Sequence, residues 1–200
     1  MQWMETISPR PAVFLSISAV GIYGDRPGEV LGEGASPDPA QKFRARVCRA
    51  WEAEARAAAT LGIRVVILRL GNVLHPSGGY LGNLCRAYRW LPLFGLGAAS
   101  NMFSWISRGD AIRLIDFVLR HEEAQGPVNA TAPRPVSQGE LTRLLAEKLQ
   151  KVYWGQLPGW MFRVMLGEFS SAFLDSQDVR PAQALALGFT FVDSLLVQAL

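Results

Sequence analysis

The sequence predicts an α/β chain built around a buried parallel sheet, and three observations lead there. Two short apolar runs rich in β-branched residues, Ala12-Val13-Phe14-Leu15-Ser16-Ile17 and Ile63-Arg64-Val65-Val66-Ile67-Leu68-Arg69-Leu70, have the pattern of strands covered on both faces. A long loop and one amphipathic helix separate them, and a helical crossover is the connection that parallel neighbours require. Gly126-Pro127-Val128-Asn129-Ala130-Thr131 is a third candidate core strand.

Taken in order, Met1–Ile7 reads as the end of a helix, which Pro9 and Pro11 stop. The strand at 12–17 closes on small residues, Gly21 and Gly24, and residues 25–39 form a loop rich in Pro, Gly and Asp. Asp38-Pro39 fits a cap followed by Pro at the first helical position. In the helix that follows, Phe43, Val47, Trp51, Ala55 and Ala58 make the apolar stripe, and Gly62 ends it. After the strand at 63–70 come a loop, a helix over about 80–90 and a Gly-rich connection to a short strand, Asn101–Ile106. Asp110 is placed to cap a helix running to His121, and Ser137-Gln138-Gly139-Glu140 fits a capping box. Two short helical patterns follow, around Trp160–Leu166 and Pro181–Leu187, then a last helix with Asp193 as its cap.

Composition narrows the function. Half of the residues are apolar and 18% are charged, which excludes a disordered chain. The net charge of +3 is spread along the chain and does not point to nucleic acid. Cys48 and Cys85 lack CxxC or His/Cys spacing, so neither zinc nor a disulfide scaffold is expected. No secretory signal is visible. The longest uncharged stretch, Trp90–Ser107, holds Pro92, Gly95, Gly97 and Asn101, wrong for a spanning helix. A cytoplasmic setting is the expectation.

Several catalytic motifs are missing from the chain. It has no GxSxG elbow, no HExxH, no GxxxxGK[ST] loop, and no GxGxxG between a strand and a helix. His75 reads as a loop residue and His121 as a cation at a helix C-terminus. No metal ligand set is expected.

Seven segments stand in register along the chain. They are Ser16-Ile17-Ser18-Ala19-Val20-Gly21-Ile22-Tyr23-Gly24-Asp25; Arg69-Leu70-Gly71-Asn72-Val73-Leu74 with Gly78-Gly79; Ser104-Trp105-Ile106 with Asp110; Gly126-Pro127-Val128-Asn129 with Ala132-Pro133; Leu166-Gly167-Glu168; Ser176-Gln177-Asp178-Val179-Arg180-Pro181; and Gly188-Phe189-Thr190-Phe191. Together they resemble the extended short-chain dehydrogenase/reductase superfamily. More narrowly, they resemble its subfamily of epimerase-like proteins with a C-terminal domain of unknown function, sometimes labelled cell-division inhibitors or sugar-nucleotide epimerases.

The resemblance implies an NAD(P)-binding fold: the C-terminal part of a doubly wound parallel sheet (Rossmann-like), with a small, mostly helical C-terminal domain on the substrate side. It divides the chain into a partial nucleotide-binding region, 1–131, with a substrate-side insert at about 75–108, and the epimerase-family domain of unknown function, 132–200. In such proteins the Gly-rich pyrophosphate loop lies upstream of the SAVGxYG string, so the first half of the nucleotide domain is expected to be absent here. Active members use a Ser or Thr with a Tyr-x-x-x-Lys pair, in which the Lys lowers the Tyr pKa for proton transfer. Four positions after Tyr23, Tyr80, Tyr88 and Tyr153 stand Pro27, Leu84, Pro92 and Leu157, so no such pair exists. The matching helix offers Phe43 and Val47 instead.

The resemblance also implies roles. Ser18 takes the catalytic Ser position, either donating to substrate or nicotinamide or capping the strand end. Ala19, Leu70, Gly71, Asn72 and Val73 belong to strand ends that face the cofactor. Phe43 and Val47 either line the nicotinamide pocket or pack the core. Ser104 and Trp105 stand on the substrate side, Trp105 equally readable as core. Asp110 is a helix cap or an acid, and Glu168 is expected to pair with an Arg. The chain then reads as a diverged NAD(P)-dependent epimerase or reductase acting on a sugar-nucleotide or small carbonyl substrate. The alternative is a non-catalytic binding or structural module, or a truncated remnant. The expected partner is a small molecule, without nucleic acid or membrane. An open edge at 12–17 would favour self-association.

Overall fold

The structure, a computed structural model, describes residues 6–40 and 42–200, and leaves out the side chains at 162, 165, 166, 168, 169 and 172. The helical segment foreseen at Met1–Ile7 falls mostly outside the described residues, as does the Glu168 side chain.

The centre is a three-stranded parallel sheet. The first strand, β1, is Val13–Ala19; a short 3-10 turn, Val20–Tyr23, follows it, and then a two-residue strand, β2 (Val30–Leu31). Helix α1 spans Phe43–Arg56, extended by a 3-10 turn to Leu61, where Gly62 takes the left-handed conformation (φ 75°) that ends it. Strand β3 is Arg64–Leu70, paired in parallel with β1 from Val13↔Arg64 to Ala19↔Leu70. Strand β4 (Asn72–His75) and helix α2 (Gly79–Trp90) lead to β5 (Leu93–Leu96), β6 (Met102–Phe103) and β7 (Trp105–Ser107). Helix α3 (Arg108–Arg120) precedes β8 (Gly126–Ala130), the second parallel partner of β3. Then come β9 (Val136–Ser137), α4 (Gln138–Leu149), β10 (Tyr153–Leu157), α5 (Gly159–Leu166), α6 (Ser171–Leu174), β11 (Asp178–Val179), α7 (Ala182–Ala186) and α8 (Leu196–Ala199).

The strand period of two explains why β3 is central. Val66 and Leu68 point to one side, into a core with Leu114 and Val118 of α3 and Phe189. Val65 and Ile67 point to the other, against Ala55 of α1 and Ala58. Arg64, on the α3 side, turns its guanidinium to the carbonyls of Val118, Leu119 and Ala124 and so satisfies the end of that helix. Arg69, on the α1 side, has no such outlet and meets the buried Glu52 of α1 instead.

That meeting decides which face of α1 is inside. The stripe the sequence favours, Phe43-Val47-Trp51, is 54%, 41% and 58% exposed. The other two residues of that stripe, Ala55 and Ala58, are buried as expected, and the helix buries Ala45 and Glu52 with them. Over Phe43–Trp51 apolarity alone selects the wrong face, because the buried one carries the charge that Arg69 requires.

Four local expectations also change. Ser107, not Asp110, caps α3: its Oγ accepts from the Asp110 backbone N–H at 3.1 Å. The Asp110 carboxylate instead accepts from the backbone N–H groups of Val192 and Asp193. The last helix begins after Leu195, so Asp193 does not cap it. The strand foreseen at 101–106 is two pieces, β6 paired with β9 and β7 with β4. Asp38 accepts from Ala40 and Lys42 N–H and orders the turn ahead of α1, which starts at Phe43 rather than beside Pro39. Ser137 does cap α4, accepting from Glu140 N–H. Among the described residues no helix is long and apolar enough to cross a membrane.

A stability comparison checks the choice of helix face. Val47→Ala, on the exposed stripe, should shift unfolding by less than about 0.5 kcal/mol. Leu68→Ala, fully buried in β3, should cost about 2–5 kcal/mol. Urea melts of both variants provide the measurement, and a large loss for Val47→Ala would put that stripe in the core.

Candidate functional site

Carboxyl ends of parallel strands are where ligands sit in open α/β sheets. Here the ends of β1 and β3 open onto a cavity of about 170 Å³. Ala19, Val20, Leu70, Gly71 and Asn72 line one side of it, Met102, Phe103 and Ser104 another, and Arg44, Gln138, Phe173, Asp175 and Gln177 close it. Gly71 is required at this strand end: a Cβ there would stand 2.9 Å from Thr131 Cγ2 and 3.1 Å from the Ser104 carbonyl. Gly24 has φ 69°, and a Cβ on it would fall 2.4 Å from the Asp38 carboxyl carbon.

A buried polar network holds the strand ends from below. Arg69 forks onto Glu52, Nε to Oε1 at 2.8 Å and Nη2 to Oε2 at 2.9 Å. Ser18 Oγ donates to the same carboxylate at 2.9 Å, and Arg56 does so from the surface side at 2.9 Å. Arg69 Nη1 donates to the Tyr23 hydroxyl, which donates in turn to Asn129 Oδ1, both at 2.8 Å. Asn129 N–H donates to Glu33, and its side-chain amide donates to the Arg180 carbonyl. Burial alone would raise the Glu52 carboxyl; the hydrogen bonds and charge of Arg69, aided by Ser18 and Arg56, outweigh it and hold the carboxyl below its ordinary pKa. Burial raises the Tyr23 phenol despite Arg69 beside it, so the hydroxyl stays neutral.

A strap over 175–180 roofs the cavity. Gln177 Nε2 donates to the carbonyls of Val20 and Gly24, and Gln177 N–H donates to the Met102 carbonyl. Ser104 Oγ donates to the Gln177 carbonyl at 2.6 Å and accepts from Val179 N–H at 2.9 Å. Ser176 N–H donates to Asp25, and β11 pairs in parallel with β2. Gln177, whose purpose the sequence does not show, thus staples the strap to the turn after β1. Beyond Asp175 a second, larger cavity of about 500 Å³ is lined by Asp25, Lys42, Phe43, Arg163, Gly167 and Leu174 among others.

The structure brings Ala19, Leu70, Gly71, Asn72 and Ser104 onto one cavity. It does not bring the others there. Ser18 faces the interior and its hydroxyl is committed to Glu52. Phe43 lines the larger cavity, and Val47 lies one turn further along the exposed stripe. Val73 packs toward the α3 core. Trp105 is fully buried and its Nε1 donates to the Arg134 carbonyl, so it is a core residue. Lys42, Arg44 and Asp175 were not singled out from the sequence. Asp175 is far in sequence from the residues it meets, and no local motif marks it.

Parallel strands joined by a helical crossover, with a cavity at their carboxyl ends, define an α/β chain of the Rossmann-like type. Comparison with known proteins narrows this. Residues 157–200 match the domain of unknown function DUF1731. The chain is 36% identical over 182 residues to the epimerase family protein SDR39U1 homolog, chloroplastic, of Arabidopsis thaliana, covering 91% of this chain and 52% of that protein. It is 33% identical over 196 residues to the epimerase family protein Mb2239 of Mycobacterium bovis, covering 94% of this chain and 62% of that one. The solved nucleoside-diphosphate sugar epimerase of Corynebacterium glutamicum superposes with a TM-score of 0.77 at 30% identity, over 96% of this chain and 37% of its own. Human epimerase family protein SDR39U1 (isoform 2), solved with NADPH, superposes with a TM-score of 0.88 at 24% identity, over 99% and 67%, a likeness of fold. The chain belongs with the epimerase family proteins that are extended short-chain dehydrogenase/reductase-like, and it spans between half and two thirds of the length of the two relatives named.

Acid should reveal the buried pair. The folded Glu52 carboxyl titrates below its unfolded value of about 4.3, so its contribution is fully present above that pH and is lost as pH falls through the lower folded value. Glu52→Gln leaves Arg69 buried without its counter-charge and should cost about 3–5 kcal/mol at pH 7. The variant should also lose part of the acid-induced slope in stability, measured by urea unfolding between pH 3 and 7. An unchanged slope would contradict the assignment.

Proposed function

We propose that this chain forms the wall of a nicotinamide and substrate pocket in an NAD(P)-dependent epimerase or reductase-like protein, acting on a sugar-nucleotide or small carbonyl substrate. The observation that supports the reading is the cavity at the ends of β1 and β3, bounded by Ala19, Leu70, Gly71 and Asn72. Its size suits a nicotinamide ring. Its walls combine apolar surface with side-chain amides: Asn72 Nδ2 spends one N–H on the Ser104 carbonyl, and Gln177 Nε2 spends both on the carbonyls of Val20 and Gly24. The Asn72 amide is thus placed to meet a carboxamide group. The fit reaches the ring end only, for the sequence holds no glycine-rich turn for a diphosphate. A bound nicotinamide supplies hydride transfer; the chain's own residues hold the ring, exclude water from it and shape the substrate side through the strap and residues 132–175.

One observation favours a non-catalytic structural module instead. At the helix positions where the resemblance places Tyr and Lys stand Phe43 and Val47, which can neither donate nor carry charge.

The two readings separate on binding. NADPH and NADH titrated against the fluorescence of the six Trp residues should give saturable quenching with a Kd below about 1 mM, the weak limit of about −4 kcal/mol. Ala19→Leu, which fills the cavity from its edge, should weaken the tighter nucleotide at least tenfold (about 1.4 kcal/mol). No saturable change with either nucleotide would leave the structural module.

A further inference from the structure

The cavity lacks the phenol and ammonium pair, yet it contains one group able to exchange a proton. Arg44 and Asp175 are the only ionisable side chains on its wall among the described residues, and a guanidinium does not titrate in protein. Ser104 Oγ is committed to Gln177 and Val179, and Ser18 Oγ to Glu52. Tyr23 is locked between Arg69 and Asn129. Tyr80 stacks on Phe103 and Phe173 and is not on the wall.

Asp175 stands where the 170 Å³ cavity meets the 500 Å³ one and lines both. Its side chain is 10% exposed. Lys42 Nζ lies 3.5 Å from Oδ1 and Arg44 Nη1 lies 3.8 Å from Oδ2, both from the start of α1. Asp25, itself accepting from Ser176 N–H, faces it from the turn after β1, and Arg163 of α5 shares the larger cavity. The two cations orient the carboxyl loosely, beyond tight hydrogen-bonding range, and leave its oxygens room to meet a ligand. Lys42, with its side chain 44% exposed, links the group to solvent for proton exchange.

We propose that Asp175 is the proton-exchanging group of this site, acting on a hydroxyl or carbonyl oxygen of the substrate. The proposal rests on the nicotinamide reading above. In the oxidising direction the carboxylate takes the hydroxyl proton, so the substrate O–H bond breaks and a carboxyl O–H bond forms. The electron pair left on oxygen closes the carbonyl as the carbon gives up hydride to an oxidised nicotinamide. In the reducing direction the same proton returns to the oxygen. Burial, with Asp25 adding to it, raises the carboxyl above its ordinary pKa against the opposing pull of Lys42 and Arg44.

Two readouts independent of turnover test this. A ring seated beside Asp175 expels water and raises the carboxyl further, so protonation and NADPH binding must reinforce each other. The Kd for NADPH in the intact chain should therefore fall as pH drops. Comparison with Asp175→Asn subtracts the titration of the ligand's own phosphates. The variant should bind NADPH, lose that component of the pH dependence, and Asp175→Glu should restore it with a displaced midpoint. Carbon-13 NMR of the free protein should show the Asp175 carboxyl titrating above about 3.9, and higher again in Lys42→Ala, which removes a stabilising cation. A wild type that does not bind NADPH contradicts the nicotinamide reading and this assignment with it. NADPH binding with the same pH dependence in wild type and Asp175→Asn, or a carboxyl midpoint at or below the ordinary value, overturns Asp175 and leaves the nicotinamide reading standing.

Discussion

The Arg69–Glu52 ion pair is the constraint on which the rest of the structure hangs. Two charges removed from water are costly, and they persist inside only when paired and fully hydrogen-bonded. Here the fork of Arg69, the Ser18 and Tyr23 hydroxyls and the Arg56 guanidinium meet that condition. The members come from β1, the turn after it, α1 and β3, and Asn129 extends the network to β8. Geometry that satisfies one charge therefore fixes the relative positions of three strand ends, and two of them, those of β1 and β3, bound the cavity.

The same pair accounts for what the sequence conceals about α1. A stripe containing Glu52 looks less apolar than Phe43-Val47-Trp51, and periodicity chooses the latter. Only the partner on β3 reverses the choice, and that partner is a tertiary fact. Asp110 shows the same logic on a smaller scale. Its side chain suits a cap, but Ser107 stands three residues earlier, and the carboxylate is drawn to Val192 and Asp193 N–H. What local chemistry dictates was legible: the β-branched runs of the sheet, the crossover helix, Gly62 as its stop, and the Ser137 cap. Of the strand-end residues singled out from the sequence, Ala19, Leu70, Gly71 and Asn72 line the cavity, and Val73 turns to the core. Asp175 and Gln177 could not be placed, since their partners lie across the fold.

The strap explains how the C-terminal segment joins the sheet into one site. Ser176, Gln177 and Val179 bond to Met102 and Ser104, to the turn after β1 and to Thr131. The matched C-terminal domain is thus a roof as well as an appendage, and Asp175 lines the cavity at the start of the strap. A pocket assembled from such distant pieces depends on the strand ends staying in place, which returns the argument to the buried pair.

A double-mutant cycle on that pair tests this dependence most directly. If Arg69 and Glu52 stabilise the fold through each other, Glu52→Leu combined with Arg69→Met should be less destabilising than the sum of the single changes by about 1–3 kcal/mol. Additivity within about 0.5 kcal/mol would mean that the two side chains act independently, and the account of how the strand ends are held would be wrong.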